Sequence, residues 1–256
     1  MKLSVRVVGA NTGHVDVVFI HGTGSSSEMW TKQAEELERT GYRCFLIDLR
    51  GHGETHEPEE PTDLKVHVAD VLETLDESGI VFPAAFIGHS LGSLISLRIG
   101  QAHPNLTQTL LLAALPGKVY APIATVFRHF LNGPFRNMKG TKFHEKMAWR
   151  ERTLFNTPVY SLSQIVENFH DVDLFSDPFT LNCPVHLSAG RFDPVATIDQ
   201  VMKAHKAMPN STLKVFDLAG HNFMDYNTHA FNQWILEGLE KRYSPDDAHS
   251  KVPKEV

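Results

Sequence analysis

The sequence predicts an α/β fold: a mostly parallel sheet flanked by helices and carrying a helical cap insertion. Short apolar runs recur without the polar alternation of a half-exposed sheet, so the strands are expected to be buried on both faces. Segments of helical period separate them, the rhythm of parallel strands joined by crossover helices. That rhythm fails between residues 116 and 181, a stretch far longer than the roughly dozen residues a crossover requires.

In order, Val5 to Val8 and Asp16 to Ile20 read as the first strands, parted by an Asn-Thr-Gly turn. Ser27 to Arg39 reads as a helix, with Ser27 as N-cap and Gly41 just past its end. Cys44 to Leu49 is a short strand. Thr62 to Ser78 puts Leu64, Val68, Val71, Leu72 and Leu75 at helical spacings. Ala84 to Gly88 is a strand, and Leu91 to Gln101 a helix that ends before Pro104. Thr109 to Ala114 is a continuous apolar strand. After the insertion come a strand at Pro184 to Ala189, a helix at Thr197 to Ala207, a strand at Leu213 to Phe216 and a helix from His229 to Arg242. The implied organisation is a core of residues 1–115 and 182–243, a helical cap at 116–181, and a polar tail at 244–256 expected to be flexible.

Composition removes several classes of function. The net charge of −6 argues against a nucleic-acid binder, which would carry a basic excess. Two Cys make no disulfide framework, and no CxxC spacing suits zinc or thiol redox work. No apolar run is long enough to span a membrane, and the N-terminal residues lack the apolar core of a signal peptide. A soluble, cytoplasmic protein is expected.

The chemistry concentrates in Gly88-His89-Ser90-Leu91-Gly92, a G-x-S-x-G pentapeptide between a predicted strand and a predicted helix. Such a turn needs glycines where Cβ atoms would clash. It leaves the serine strained and exposed at a helix start. Serine needs a base, and the base an orienting acid. Asp193, in Gly190-Arg191-Phe192-Asp193-Pro194, and His221, after Gly220, each lie just beyond a later predicted strand, at the same sheet edge as Ser90. Asp217 is the rival acid, placed within the strand rather than beyond it. The backbone N–H of Leu91 is one expected oxyanion donor; Thr23, in the loop after Ile20, supplies the second, with Gly24 as the alternative.

Together these residues resemble the α/β-hydrolase superfamily, with the nearer likeness to its carboxylesterase, perhydrolase and C–C-bond hydrolase branch. The resemblance rests on His21-Gly22 with Trp30, on Asp48-Leu49-Arg50-Gly51-His52-Gly53, on Gly88 to Gly92, on Asp193 and on Gly220-His221. It implies a shaping, non-catalytic role for the Asp48 to Gly53 stretch. A Ser at the nucleophile position counts against epoxide hydrolases and haloalkane dehalogenases of this fold. The implied reaction is hydrolysis of a small-molecule carboxylic ester through an acyl-enzyme, with no metal and no organic cofactor. A thioesterase, a C–C hydrolase and a perhydrolase would use the same triad, and a small-molecule receptor with little turnover would share the fold.

The insertion bears on the substrate. It holds eleven Phe, Trp or Tyr residues, which suits a hydrophobic acyl or aromatic group as well as it suits a cap core. Gly24, His89, Phe127, Trp149 and Phe223 are the residues expected to touch substrate. Between Lys118 and Arg152 there are eight Lys or Arg against two Glu. That contrast fits a solvated helical face, an anionic substrate, or peripheral contact with an anionic membrane.

Overall fold

The apolar runs form seven strands: β1 (Ser4–Val8), β2 (Val17–Ile20), β3 (Cys44–Asp48), β4 (Ala84–His89), β5 (Thr107–Ala113), β6 (Val185–Gly190) and β7 (Ser211–Phe216). In this computed structural model the described residues are 1–56, 62–118, 125–126, 129, 133–134, 136–138, 141–147, 149–168, 173–175 and 180–240. The strands make one sheet in the order β1-β3-β2-β4-β5-β6-β7. β1 runs antiparallel to β3, and every other neighbouring pair is parallel. The uniform apolarity of the central strands now has its cause: every residue of β2, β3, β4 and β6 is buried.

Helices α1 (Thr31–Arg39), α2 (Leu64–Glu77), α3 (Leu91–Ala102), α4 (Trp149–Asn156), α5 (Val159–Asn168), α6 (Ile198–Ala207) and α7 (Thr228–Glu240) are joined by shorter helical turns. Asp63 caps α2, its Oδ1 accepting from the Val66 N–H at 2.8 Å. Gly41 follows α1 with φ +90°, a left-handed conformation that suits a residue without Cβ. The expected N-cap role of Ser27 is corrected: Ser27 opens a 3₁₀ turn (Ser27–Trp30), and α1 starts only at Thr31. Its N–H instead donates to Asp48 Oδ1 at 2.6 Å, so a distant carboxylate satisfies the orphan amide that a local cap would have served.

Asp48 is the tie between two loops. Its other oxygen accepts from the Glu54 N–H at 3.0 Å, and Gly53 passes so close to the carboxylate that a Cβ there would collide with it. Arg50 is buried against Asp70, its Nε donating to Oδ2 at 2.6 Å, and also reaches Thr62 Oγ1 at 3.1 Å.

Between β5 and β6, α4 and α5 bury Phe155, Leu162 and Val166 in a small core of their own. Phe175 lies under the Lys203 ammonium (4.0 Å) and Tyr160 is exposed. Lys118 pairs with Asp173 at the surface, 2.8 Å apart. Phe127 and the expected tail at 244–256 lie outside the described residues, and of Trp149 only the helical backbone is described. Among the described residues no helix is long and apolar enough to cross a membrane.

Candidate active site

Loops at the carboxyl ends of β4, β6 and β7 bring Ser90, Asp193 and His221 together. Ser90 follows β4 with φ 52° and ψ −113°, a strained conformation for a residue with a side chain. The flanking glycines permit it. A Cβ on Gly88 would strike the Gly92 carbonyl, and one on Gly92 would lie 2.7 Å from the His21 carbonyl oxygen. The Ser90 N–H donates to the Ala113 carbonyl at 3.0 Å, and its own carbonyl accepts from Ser93 Oγ at 2.6 Å. Both bonds hold the turn, and neither uses the Ser90 hydroxyl.

The β6 and β7 loops are fastened to each other. The Phe192 N–H donates to the Ala219 carbonyl at 2.9 Å, and Gly190 abuts the Gly220 carbonyl too closely for a Cβ. Asp193 then sits with a fully buried carboxylate. Oδ1 accepts from the Val195 and Ala196 N–H groups at 2.8 and 3.0 Å, and Oδ2 accepts from His221 Nδ1 at 2.8 Å. The His221 ring is 23% exposed and faces the cleft. Asp217 lies one residue past β7, not within it as expected; its side chain is 70% exposed and paired with Arg191.

Gly22 brings the loop after β2 against the serine turn: a Cβ there would lie 3.2 Å from Ser90 Cβ. Of the two alternatives for an oxyanion donor, Gly24 is already engaged, its N–H donating to His52 Nε2 at 3.0 Å. Leu91 begins α3, so its N–H has no acceptor within the helix. A cleft of about 200 Å³ is lined by Gly22, Thr23, Gly24, Ser25, His89, Ser90, Leu154, His221 and Asn222. A larger cavity of about 600 Å³ shares Ser25 but reaches neither Ser90 nor His221.

Other residues expected at the substrate divide. His89 lines the cleft, its Nε2 donating to the His221 carbonyl at 3.0 Å, and Gly24 lines it too. Phe223 does not: it has no exposure and packs on Phe216 and Phe231 (centroids 4.9 and 5.8 Å). The first turn after His221 faces the core, so the residue two past the histidine points inward. Leu154 was missed by sequence reasoning. It packs over Gly24 from α4, and nothing local to it signals that contact.

Burial sets the state of both cysteines and of two histidines, His52 and His67. It pushes the thiol of Cys44 up to about 12 and that of Cys183 up to about 11, so neither is a thiolate at neutral pH. Among the described residues no cluster of His, Cys, Asp or Glu is arranged to hold a metal ion. Desolvation first, and then the neighbouring His21, lower His52 to about 3; desolvation and then His52 and Arg50 lower His67 to about 3. Both would titrate near 6.5 in the unfolded chain. Between these values the unfolded state holds protons that the folded state lacks. Stability is therefore full above about pH 6.5 and falls as the pH drops towards about 3. Each ring contributes up to about 1.4 kcal/mol per pH unit. The urea midpoint is expected to decline across this window, and His67→Leu to remove one ring's share of the slope. An unchanged slope in that variant would contradict the assignment.

The fold and these loops define an α/β hydrolase. A family model described as alpha/beta hydrolase fold matches residues 17–228, and the chain belongs to this family. It is 23% identical to the 2-hydroxy-6-oxononadienedioate/2-hydroxy-6-oxononatrienedioate hydrolase of Pseudomonas sp, over 93% of this chain and 92% of that protein. A stretch of 103 residues is 33% identical to probable lysophospholipase BODYGUARD 4 of Arabidopsis thaliana, spanning 40% of this chain and only 25% of that protein. The solved esterase EaEST of Exiguobacterium antarcticum superimposes with a TM-score of 0.82 at 19% identity, covering 93% and 96% of the two chains.

Proposed function

We propose that the protein is a serine hydrolase that cleaves carboxylic esters of small to medium hydrophobic acyl groups through an acyl-enzyme. The observation that carries this reading is that strained Ser90 lines the same small cleft as His221, whose other ring nitrogen is anchored on buried Asp193. Ser90 Oγ attacks the ester carbonyl while His221 Nε2 takes its proton. Asp193 holds the ring so that Nε2 is the free base. Negative charge collects on the former carbonyl oxygen, where the N–H groups of Thr23 and Leu91 donate to it. The tetrahedral adduct collapses: the C–O bond to the alcohol breaks, and His221 returns the proton to the leaving alkoxide. Water, deprotonated by the same ring, then releases the acid and restores Ser90.

Residues 116–181 act as a cap that selects the acyl group. Leu154, reaching from α4 over Gly24, is the apolar wall of a cleft of about 200 Å³, which supports a short acyl chain. An alkyl fluorophosphonate is expected to label Ser90 stoichiometrically. A panel of p-nitrophenyl acetate, butyrate and decanoate, an acyl thioester and a lactone is expected to show the highest kcat/KM on the short esters. Failure to label, or a preference for the decanoate or the thioester, would replace this reading.

A further inference from the structure

Two buried imidazoles that take no part in the acyl-transfer steps hold the loop carrying Thr23. His21 Nδ1 donates to the Gly22 carbonyl oxygen at 2.7 Å, and His21 Nε2 accepts from the Leu49 N–H at 3.0 Å. On the other side of Thr23, the Gly24 N–H donates to His52 Nε2 at 3.0 Å, while His52 Nδ1 donates to the Arg50 carbonyl at 2.9 Å. The Leu49 amide and the Arg50 carbonyl thus dictate which nitrogen of each ring carries the proton. The rings lie 5.0 Å apart, both are buried, and neither lines the cleft.

A trans peptide unit is planar, and its C=O and N–H point in opposite directions. The Gly22 carbonyl belongs to the same unit as the Thr23 N–H, and the Gly24 N–H to the same unit as the Thr23 carbonyl. Fixing the Gly22 oxygen therefore aims the Thr23 N–H, and fixing the Gly24 N–H stops the loop from rotating about Thr23. The Ser25 N–H closes the turn on the Gly22 carbonyl at 3.2 Å, with Gly24 at φ +70°.

We infer that His21 and His52 are positioning residues of the oxyanion hole, clamping the two peptide units that flank Thr23 so that its N–H points at the developing oxyanion. This rests on the reading of Ser90 as an acyl-transfer nucleophile. Neither ring touches substrate, so their loss acts on kcat rather than on KM.

The test compares His52→Asn with His52→Gln. Asparagine keeps a donor near the Nδ1 position for Arg50 but is too short to accept from Gly24. Glutamine carries an oxygen to the Nε2 position. Removing one oxyanion donor costs about 10²–10³ in kcat, and a misaimed donor loses part of that. His52→Asn is expected to lower kcat on p-nitrophenyl acetate by about 10–100-fold with KM within threefold. Its affinity for a boronic acid, which forms a tetrahedral adduct on Ser90, should weaken by a similar factor. His52→Gln is expected to stay within about fivefold of the wild type. Equal kcat in the two variants of an enzyme whose Ser90 takes the fluorophosphonate overturns the inference alone; a wild type that is never labelled overturns the acyl-transfer reading beneath it. Amide exchange tests the clamp in the unmodified protein, where an unprotected Gly24 N–H would also overturn it.

Discussion

Ser90→Ala is expected to lower kcat on short p-nitrophenyl esters by on the order of 10⁶-fold, with the melting temperature unchanged or raised. Neither cysteine can stand in for the lost nucleophile: both are buried with raised thiol pKa values, and neither lines the cleft. Residual turnover above the water rate comes from the two backbone donors, which alanine leaves in place. Stability does not suffer, because the hydrogen bonds that hold the turn use the Ser90 main chain and the Ser93 hydroxyl, not the Ser90 hydroxyl. The check is steady-state turnover beside a thermal melt. A kcat within tenfold of wild type would remove Ser90 from the chemistry.

Asp193→Asn is expected to cost about 10⁴-fold in kcat with the fold intact, and the local hydrogen bonds say why. Oδ1 already accepts from two backbone N–H groups, Val195 and Ala196. An amide placed here keeps its oxygen on those donors and turns its NH₂ towards His221. The imidazole must then present an unprotonated Nδ1 and carry its proton on Nε2, where it can no longer take the serine proton. Asp217→Asn is the matched control. Its carboxylate faces solvent and Arg191, so kcat is expected within twofold of wild type. Equal losses in both variants would mean that the acid has been misassigned.

The strands were legible in the sequence because a strand buried on both faces leaves a largely apolar run, and β2, β3, β4 and β6 are buried at every residue. Helix entries were less legible. The orphan amide of Ser27 is met by Asp48, across 21 positions of sequence, where a local capping rule has no view. The meeting of Ser90, Asp193 and His221 at one edge was legible from chain order and from their places after strands, since parallel strands deliver all such loops to one edge. Phe223 was misplaced because the direction of the single helical turn Phe223–Tyr226 depends on what the core lacks there, an aromatic between Phe216 and Phe231. Leu154 was invisible for the opposite reason, since it packs on a residue far away in sequence; for His52 the resemblance implied a shaping role, but not its partner, the Gly24 N–H. The aromatic and basic character of the insertion was legible as composition, but not where single members of it go. Phe155 fills a small core, and Lys118 pairs with Asp173.

The glycine contacts around Ser90 have a bearing on how such an enzyme diversifies. Gly92 meets the main chain of Ile20 and His21, and Gly22 meets the His89 ring and the Ser90 Cβ, both within the serine turn. The separation of the two proposed oxyanion donors is thus set, on the Gly92 side, by main chain against main chain, like a calliper set by its own jaws. Side-chain replacements elsewhere in the cleft wall, at Leu154 or Asn222, can widen or narrow what enters without resetting that gauge. Under the proposed acyl transfer, substrate range and rate are tuned at separate positions, and a library confined to α4 should shift the first while sparing the second.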